Sequence, residues 1–260
     1  MKFSFFGSVR NDWGQVRKLL NTIESVFWFA SKEVVLIDDC SRKTEVEFAR
    51  SFENENPGLS IVFNSKHEGI VPCLNQAIDR LSGDIALPIA ADTEYESRLF
   101  PLALIYAFKI CYADFFFAKA RHVEQHSMQT VGITGWSAKK GVQQKHKAVE
   151  NFISGQTRPS GSAVAFRTEL LKQYRYDKNL ASLSDFYLNN LMILKHKSFY
   201  YGKVVSKTLE RKASYSNSFN QDQSLALIEG TVDKFESDGV LLTDAQKKQY
   251  REHERNQWPH

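Results

Sequence analysis

Residues 33–44 read "EVVLIDDCSRKT": four aliphatic residues in a row, then two carboxylates, then a small-residue turn leading into charged sequence. A short apolar run without polar alternation fits a strand buried on both faces, as in a parallel sheet covered by helices. The turn that follows suits a strand-to-helix connection, because Asp and Ser are favoured both in turns and at helix N-caps. Asp38 and Asp39 therefore have two readings. They are turn and cap residues, or they stand at a strand end and accept hydrogen bonds from a base or ribose.

The same alternation continues on both sides of this stretch. "KFSFFG" (2–7) reads as a strand, and "WGQVRKLLNTIESVFWF" places Val16, Leu19, Leu20, Ile23, Val26 and Phe27 at helical spacing. "KTEVEFARSFEN" reads as a helix, "LSIVFN" (59–64) as a strand, "IVPCLNQAIDRLSG" (70–83) as a helix closed by Gly83, and "DIALPI" (84–89) as a fourth strand. "ESRLFPLALIYAFKI" is helical with Pro101 in its first turn, and "ADFFFAKA" (113–120) is a fifth strand. Residues 121–160 are polar and glycine-punctuated, and read as a lid or acceptor-side loop with some local structure. Order returns with "AVAFRTELLKQY" (strand to helix), "SLSDFYLNNLMILKH" (182–196, helix) and "KSFYYGKVVSKTLE" (strand). Amphipathic helices follow from about 219, read as a mostly solvated tail.

Strand–helix alternation with continuous apolar strands predicts an α/β domain, a mostly parallel sheet flanked by helices, with ligands beyond the carboxyl ends of the strands. Ser8 and Arg10 follow the first strand, Asp39 the second, Lys66 and His67 the third, and Asp92 the fourth, so all can line one crevice. Lys66 and His67 are either a solvated loop or contacts to a phosphate or base. Asn75, inside a helix, reads as structural, bonded to a neighbouring loop.

Composition narrows the partners. A net charge of +4, from 34 basic and 30 acidic residues, is too small to argue for nucleic acid. Cys40, Cys73 and Cys111 have no metal-ligand spacing and form an odd set, which favours a reduced, cytoplasmic setting over a disulfide framework. His122, His126 and His146 form no compact ligand set. The N-terminal residues have no apolar core of signal-peptide length, and "LFPLALIYAFKICYADFFFAK" is broken by Pro101, Lys109 and Asp114.

The order of "EVVLIDDCSRKT", "NSKHEGIVPCLNQAIDRLSGDIALPIAADTEY", "SGSAVAFRTELL" and "SLSDFYLNN" resembles the large inverting glycosyltransferase family of the GT-A fold (family 2-like), which includes bacterial polysaccharide and O-antigen sugar transferases. The resemblance covers about residues 2–218. It implies a GT-A domain over 1–218, with a nucleotide-binding half (1–120) and an acceptor-side half (121–218), followed by a short helical tail (219–260).

The resemblance also implies roles. Asp39 matches the acidic residue that holds the base, and Ser8 and Arg10 the positions that touch the nucleoside. Asp92 matches the last Asp of the Asp-x-Asp motif, which meets a divalent Mg²⁺ or Mn²⁺ and the sugar diphosphate. Asp185 matches the catalytic base, and Arg211 a basic position near the diphosphate; Lys66, from its place after the third strand rather than from the resemblance, is a further nucleotide-sugar candidate. The expected donor is a UDP-sugar or other nucleotide sugar. The expected acceptor is a saccharide or a lipid-linked molecule, handled in the cytoplasm or at the inner face of a membrane with peripheral association. Ala90, Thr93, Ser184, Leu74 and Ala213 depart from the family pattern. They carry the alternative of a catalytically degenerate nucleotide-binding or scaffolding protein. A nucleotidyltransferase is disfavoured, because "GSVRNDWG" is a poor phosphate loop.

Overall fold

The computed structural model describes residues 1–137, 139–210 and 221–255. The first half comprises β1 (Lys2–Val9), α1 (Trp13–Val26), β2 (Ser31–Asp38), α2 (Lys43–Glu55), β3 (Leu59–Phe63), α3 (Ile70–Ile78), β4 (Ile85–Pro88), β5 (Thr93–Tyr95) and α4 (Phe100–Ile105), which a π-helical stretch (Tyr106–Ile110) extends. Then come β6 (Phe115–Glu124), β7 (Thr130–Thr134), β8 (Trp136–Ser137), β9 (Gly141–Val142), α5 (Lys145–Ile153), β10 (Thr157–Arg158), a 3₁₀ turn (Gly161–Ala163), β11 (Val164–Arg167) and α6 (Thr168–Tyr174). A second 3₁₀ segment (Lys178–Leu183) leads to α7 (Ser184–Lys195), β12 (Ser198–Glu210), α8 (Gln221–Ser237) and α9 (Asp244–Arg255).

The main sheet runs β3-β2-β1-β4-β11-β6-β12-β5. β1 pairs in parallel with β2 and β4, β2 with β3, and β6 with β12, while β11 and β5 run antiparallel to their neighbours. Both faces are covered, which is why the strands carry unbroken apolar runs. Phe3 and Phe5 point to the face packed by α1, α2 and α4, and Phe6 to the opposite face, packed by α3, α5 and α7. In β6, Phe116 and its neighbours Phe115 and Phe117 divide in the same way. Phe27 is the hub of the first layer, meeting Phe3, Phe5, Tyr95 and Phe100 at ring distances of 4.9 to 5.8 Å, within the range of favourable edge-to-face contacts.

Three expectations change. The helix read over 70–83 ends at Ile78, and Gly83 is required by close approach rather than by a cap. Its N–H donates to Ser4 Oγ at 2.8 Å, and a Cβ there would lie 2.5 Å from that oxygen. Residues 121–160 are built into the sheet rather than standing apart as a loop. β6 continues to Glu124, β7 pairs with it, and β9 pairs with β12. The C-terminal helices are half in the core, because Ile228, Val232, Phe235 and Tyr250 are buried with Phe152 and Tyr187. Pro101 lies in the first turn of α4, where its missing N–H costs no helical bond.

Candidate active site

A cavity of about 380 Å³ opens at the carboxyl ends of β1 and β4. Ser8 from β1, Asp92 from the loop after β4 and Asp185 from the first turn of α7 all line it, so three residues separated by up to 177 positions reach one space. Ala90 lines it too, presenting a methyl group near Asp92.

Asp185 is the carboxylate whose surroundings matter most. The residue is exposed toward the cavity, yet the protein packed around its carboxyl disfavours the charge and pushes its pKa above the usual carboxylate range. The Phe186 N–H, donating to Oδ1 at 2.7 Å, opposes that shift without reversing it. Gly161 lies so close that a Cβ at that position would be 2.8 Å from Asp185 Oδ2. The Tyr176 phenol is raised by its own burial and further by the Asp185 charge, and Tyr176 also lines the cavity. A carboxylate held in such a recess can take a proton from a bound hydroxyl.

Asp39 lies outside the cavity lining, and its carboxylate organises the turn before α3. Oδ1 accepts the Glu68 N–H at 2.7 Å, and Oδ2 accepts the Gly69 N–H at 3.0 Å and pairs with His67 Nδ1 at 2.7 Å. Burial opposes its ionisation, but these donors outweigh burial and hold its pKa below the ordinary value. A carboxylate from one strand end thus occupies the positive N-terminus of a helix on the next unit. Gly69, at φ 94°, is in a conformation that favours glycine. Asp38 has the turn role: Oδ1 accepts the Ser41 N–H at 2.9 Å and Oδ2 the Trp13 indole at 2.7 Å.

Cys73 connects Asp39 to the cavity. Its thiol is pushed up to about 12, first by burial and then by the Asp39 charge, and it bonds Ser8 and Asn64. Arg10 is exposed just beyond β1, and the exposed Lys66 pairs with Glu68 at 3.0 Å, so neither lines the cavity. Arg211 lies outside the described residues. Asn75 is structural as expected: its amide donates to Tyr176 O at 2.8 Å, and its oxygen accepts the Tyr176 N–H at 3.0 Å.

Several lining residues escape a reading of the sequence. Thr93, Thr208 and Ser184 bring buried hydroxyls to the cavity that have no hydrogen-bond partner among the described residues. Thr93 and Thr208 face each other across β5 and β12, and His122 of β6 follows in the same row, its Nε2 2.6 Å from Thr134 Oγ1. Buried hydroxyls ordinarily find partners, so these three are unusual in a position this close to a cavity.

The model of the family described as "Glycosyl transferase family 2" matches residues 8–174, more than half of the chain. The chain belongs to glycosyl transferase family 2. No curated protein matches it. Among solved structures, S. aureus TarS 1–349 in complex with UDP-GlcNAc is 17% identical with a TM-score of 0.72, and the match covers 98% of this chain and 72% of that one. A longer S. aureus TarS structure is 16% identical with a TM-score of 0.68; 96% of this chain and 42% of that one are covered. The mannosyltransferase PcManGT from Pyrobaculum calidifontis, in complex with GDP-Man and Mn²⁺, is 14% identical with a TM-score of 0.62 and coverages of 97% and 68%. This family-2 chain is thus a GT-A-fold glycosyltransferase, as its sequence pattern implied.

Proposed function

We propose that the protein transfers a sugar, with inversion, from a nucleotide-sugar donor to a saccharide or lipid-linked acceptor in cell-surface polysaccharide synthesis. The observation that carries this reading is the one cavity that Ser8, Asp92 and Asp185 line together. An acceptor hydroxyl attacks the anomeric carbon as its bond to the diphosphate breaks, and the hydroxyl proton passes to the Asp185 carboxylate. A UDP-sugar is the favoured donor, since the neighbour holding UDP-GlcNAc is more similar in fold than the one holding GDP-Man.

Ser8 and Arg10 would meet the nucleoside. Asp39 would act on the base with its remaining acceptor direction and through the turn it orders. Lys66 and Arg211 would meet the diphosphate. Among the described residues no group of three His, Cys, Asp or Glu side chains can hold a metal ion. The donor set fits a cation that arrives with the diphosphate: Asp92 would hold Mg²⁺ or Mn²⁺, with phosphate and water oxygens completing the shell. When bound, such an ion supplies positive charge to the leaving diphosphate.

A screen of nucleotide sugars tests the reading. A matching donor with Mn²⁺ at about a hundred times its Kd should stabilise the fold by about 2.7 kcal/mol, several degrees in Tm. The transferred sugar should show the opposite anomeric configuration by NMR. Absence of stabilisation by every nucleoside diphosphate, with and without metal, would instead support the scaffolding alternative to which Ala90 and Ser184 point.

A further inference from the structure

The outer face of α4 is apolar. Of the exposed side chains on α4 and its π-helical extension, Leu102, Tyr106 and Ile110 are apolar or aromatic and Lys109 alone is charged. Leu99 just before and Tyr112 just after are exposed as well, at 60% and 70%. Positions 99, 102, 106 and 110 follow helical spacing, so these side chains form one stripe where a surface helix ordinarily turns polar residues to water. The stripe extends onto the sheet, where Tyr106 meets Phe199 of β12 at 5.9 Å and the half-buried Tyr201 follows. At its other end Phe100 packs on Phe27, whose next neighbours Trp28 and Phe29 are exposed.

The unpaired charges around this face have one sign among the described residues. Arg98, Lys109, Lys203 and Lys140, whose stem lies over Gly202, are exposed and pair with no carboxylate among the described residues. The acids of the neighbouring segments are already engaged: Glu94 with Lys207, Glu96 with Arg121, and Asp114 with Arg167.

We propose that this face seats the protein on an anionic lipid surface. The aromatic and aliphatic stripe enters the boundary between headgroups and acyl chains, and the cations meet lipid phosphates. A second copy of the chain suits the face less well. A two-fold contact would set the same cations against one another with no acid to answer them. Among the described residues no helix is long and apolar enough to cross a membrane, so the contact is peripheral. The inference adds a partner to the lipid-linked form of the acceptor reading, and its test uses neither donor nor acceptor.

The test is co-sedimentation of the full chain with phosphatidylcholine vesicles, with and without phosphatidylglycerol. Binding should require the anionic lipid and weaken with salt. Leu102→Glu with Ile110→Glu should lower partitioning about tenfold or more. Arg98→Glu and Lys109→Glu should each lower it at least about fivefold. All four positions are exposed, so Tm and donor-dependent transfer to a soluble acceptor should stay at the wild-type level. Wild-type binding that ignores phosphatidylglycerol, or is absent, would overturn the proposal. So would a wild-type dimer in analytical ultracentrifugation that Leu102→Glu dissociates. Vesicle binding by a protein that no nucleotide sugar stabilises would refute the enzymatic reading and leave this one standing.

Discussion

Replacing Gly161 by Ala should slow sugar transfer while sparing the fold. The new Cβ would sit 2.8 Å from Asp185 Oδ2, where ordinary contact begins at 3.4 Å, so the carboxylate must retreat by about 0.6 Å. The retreating atom is the end of a side chain, and Gly161 is not among the glycines with positive φ, so the backbone accepts alanine. Stability should therefore change little, and the lower entropy of the unfolded chain contributes about 0.4–1 kcal/mol in favour of the variant. The Asp185 carboxylate, the proposed base, does not escape so easily. Oδ1 is tied to the Phe186 N–H at 2.7 Å, so the carboxylate turns about that bond, away from its place in the cavity. A misplacement of about 1 Å in a reacting group can cost on the order of a hundredfold, which scales to about tenfold to twentyfold in kcat here. Initial rates at varied donor concentration would measure this, with KM for the donor held within about twofold because the contact is to the base. If Gly161→Ala kept kcat within about twofold of wild type while Asp185→Asn was inactive, the packing of Gly161 would have no part in positioning the base.

Asp185→Asn should abolish transfer, leave nucleotide affinity nearly intact and stabilise the fold at neutral pH. Burial raises the folded pKa of Asp185, so its contribution is fully present below the ordinary Asp range and is lost as pH rises through the raised value. The amide carries no such penalty, so thermal melts should separate the two proteins at pH 7 and converge in acid; a variant no more stable at pH 7 would contradict the burial argument. Asn75→Ala removes both side-chain bonds to the Tyr176 backbone and should cost about 2–3 kcal/mol in urea unfolding. A loss under about 0.5 kcal/mol would mean that water replaces both bonds. Glu33 is disfavoured as an anion by burial, yet Lys2, the Ser4 and Ser82 hydroxyls and the Ser82 N–H hold its pKa down to about 2. Its stabilisation, on the order of 2–3 kcal/mol, is complete above the ordinary Glu range and is lost as pH falls toward about 2. Acid titration of Glu33→Gln should lack that part of the loss, and an unchanged acid profile would count against it.

The first part of the fold, β1 to α3, was legible because its signals are local. Each strand from β1 to β4 is an apolar run, and each of α1 to α3 begins within a few residues of a turn signal. β5, β7, β8, β9 and β10 carry two to five residues each, too few for a period to declare itself. They exist as strands because β12, β6 and one another supply their hydrogen bonds, and no window of sequence contains that information. α8 and α9 mislead in the opposite way. Their polar composition reads as a solvated tail, yet the apolar residues on their inner faces complete the core around Phe152.

The site divides along the same line. Ser8, Asp92 and Asp185 were legible because each follows or opens an element whose end the sequence marks, and the geometry of a parallel sheet sends such ends to one crevice. Thr93, Thr208 and His122 enter the same space through pairing across β5, β12 and β6, strands more than a hundred residues apart in the chain at their extremes. The family pattern left Thr93 and Ser184 looking like losses of carboxylate, whereas in the structure each is a buried hydroxyl without a partner among the described residues. Leaving a polar group buried and unbonded costs about 1–3 kcal/mol, so these positions carry a cost that a bound polar group would relieve only if the hydroxyls turned toward it. If they were mere relics of lost function, apolar replacements of similar shape would be favoured there. Thr93→Val and Thr208→Val separate the two histories: each should stabilise the ligand-free protein and weaken donor or acceptor binding, whereas relics would show the first effect without the second.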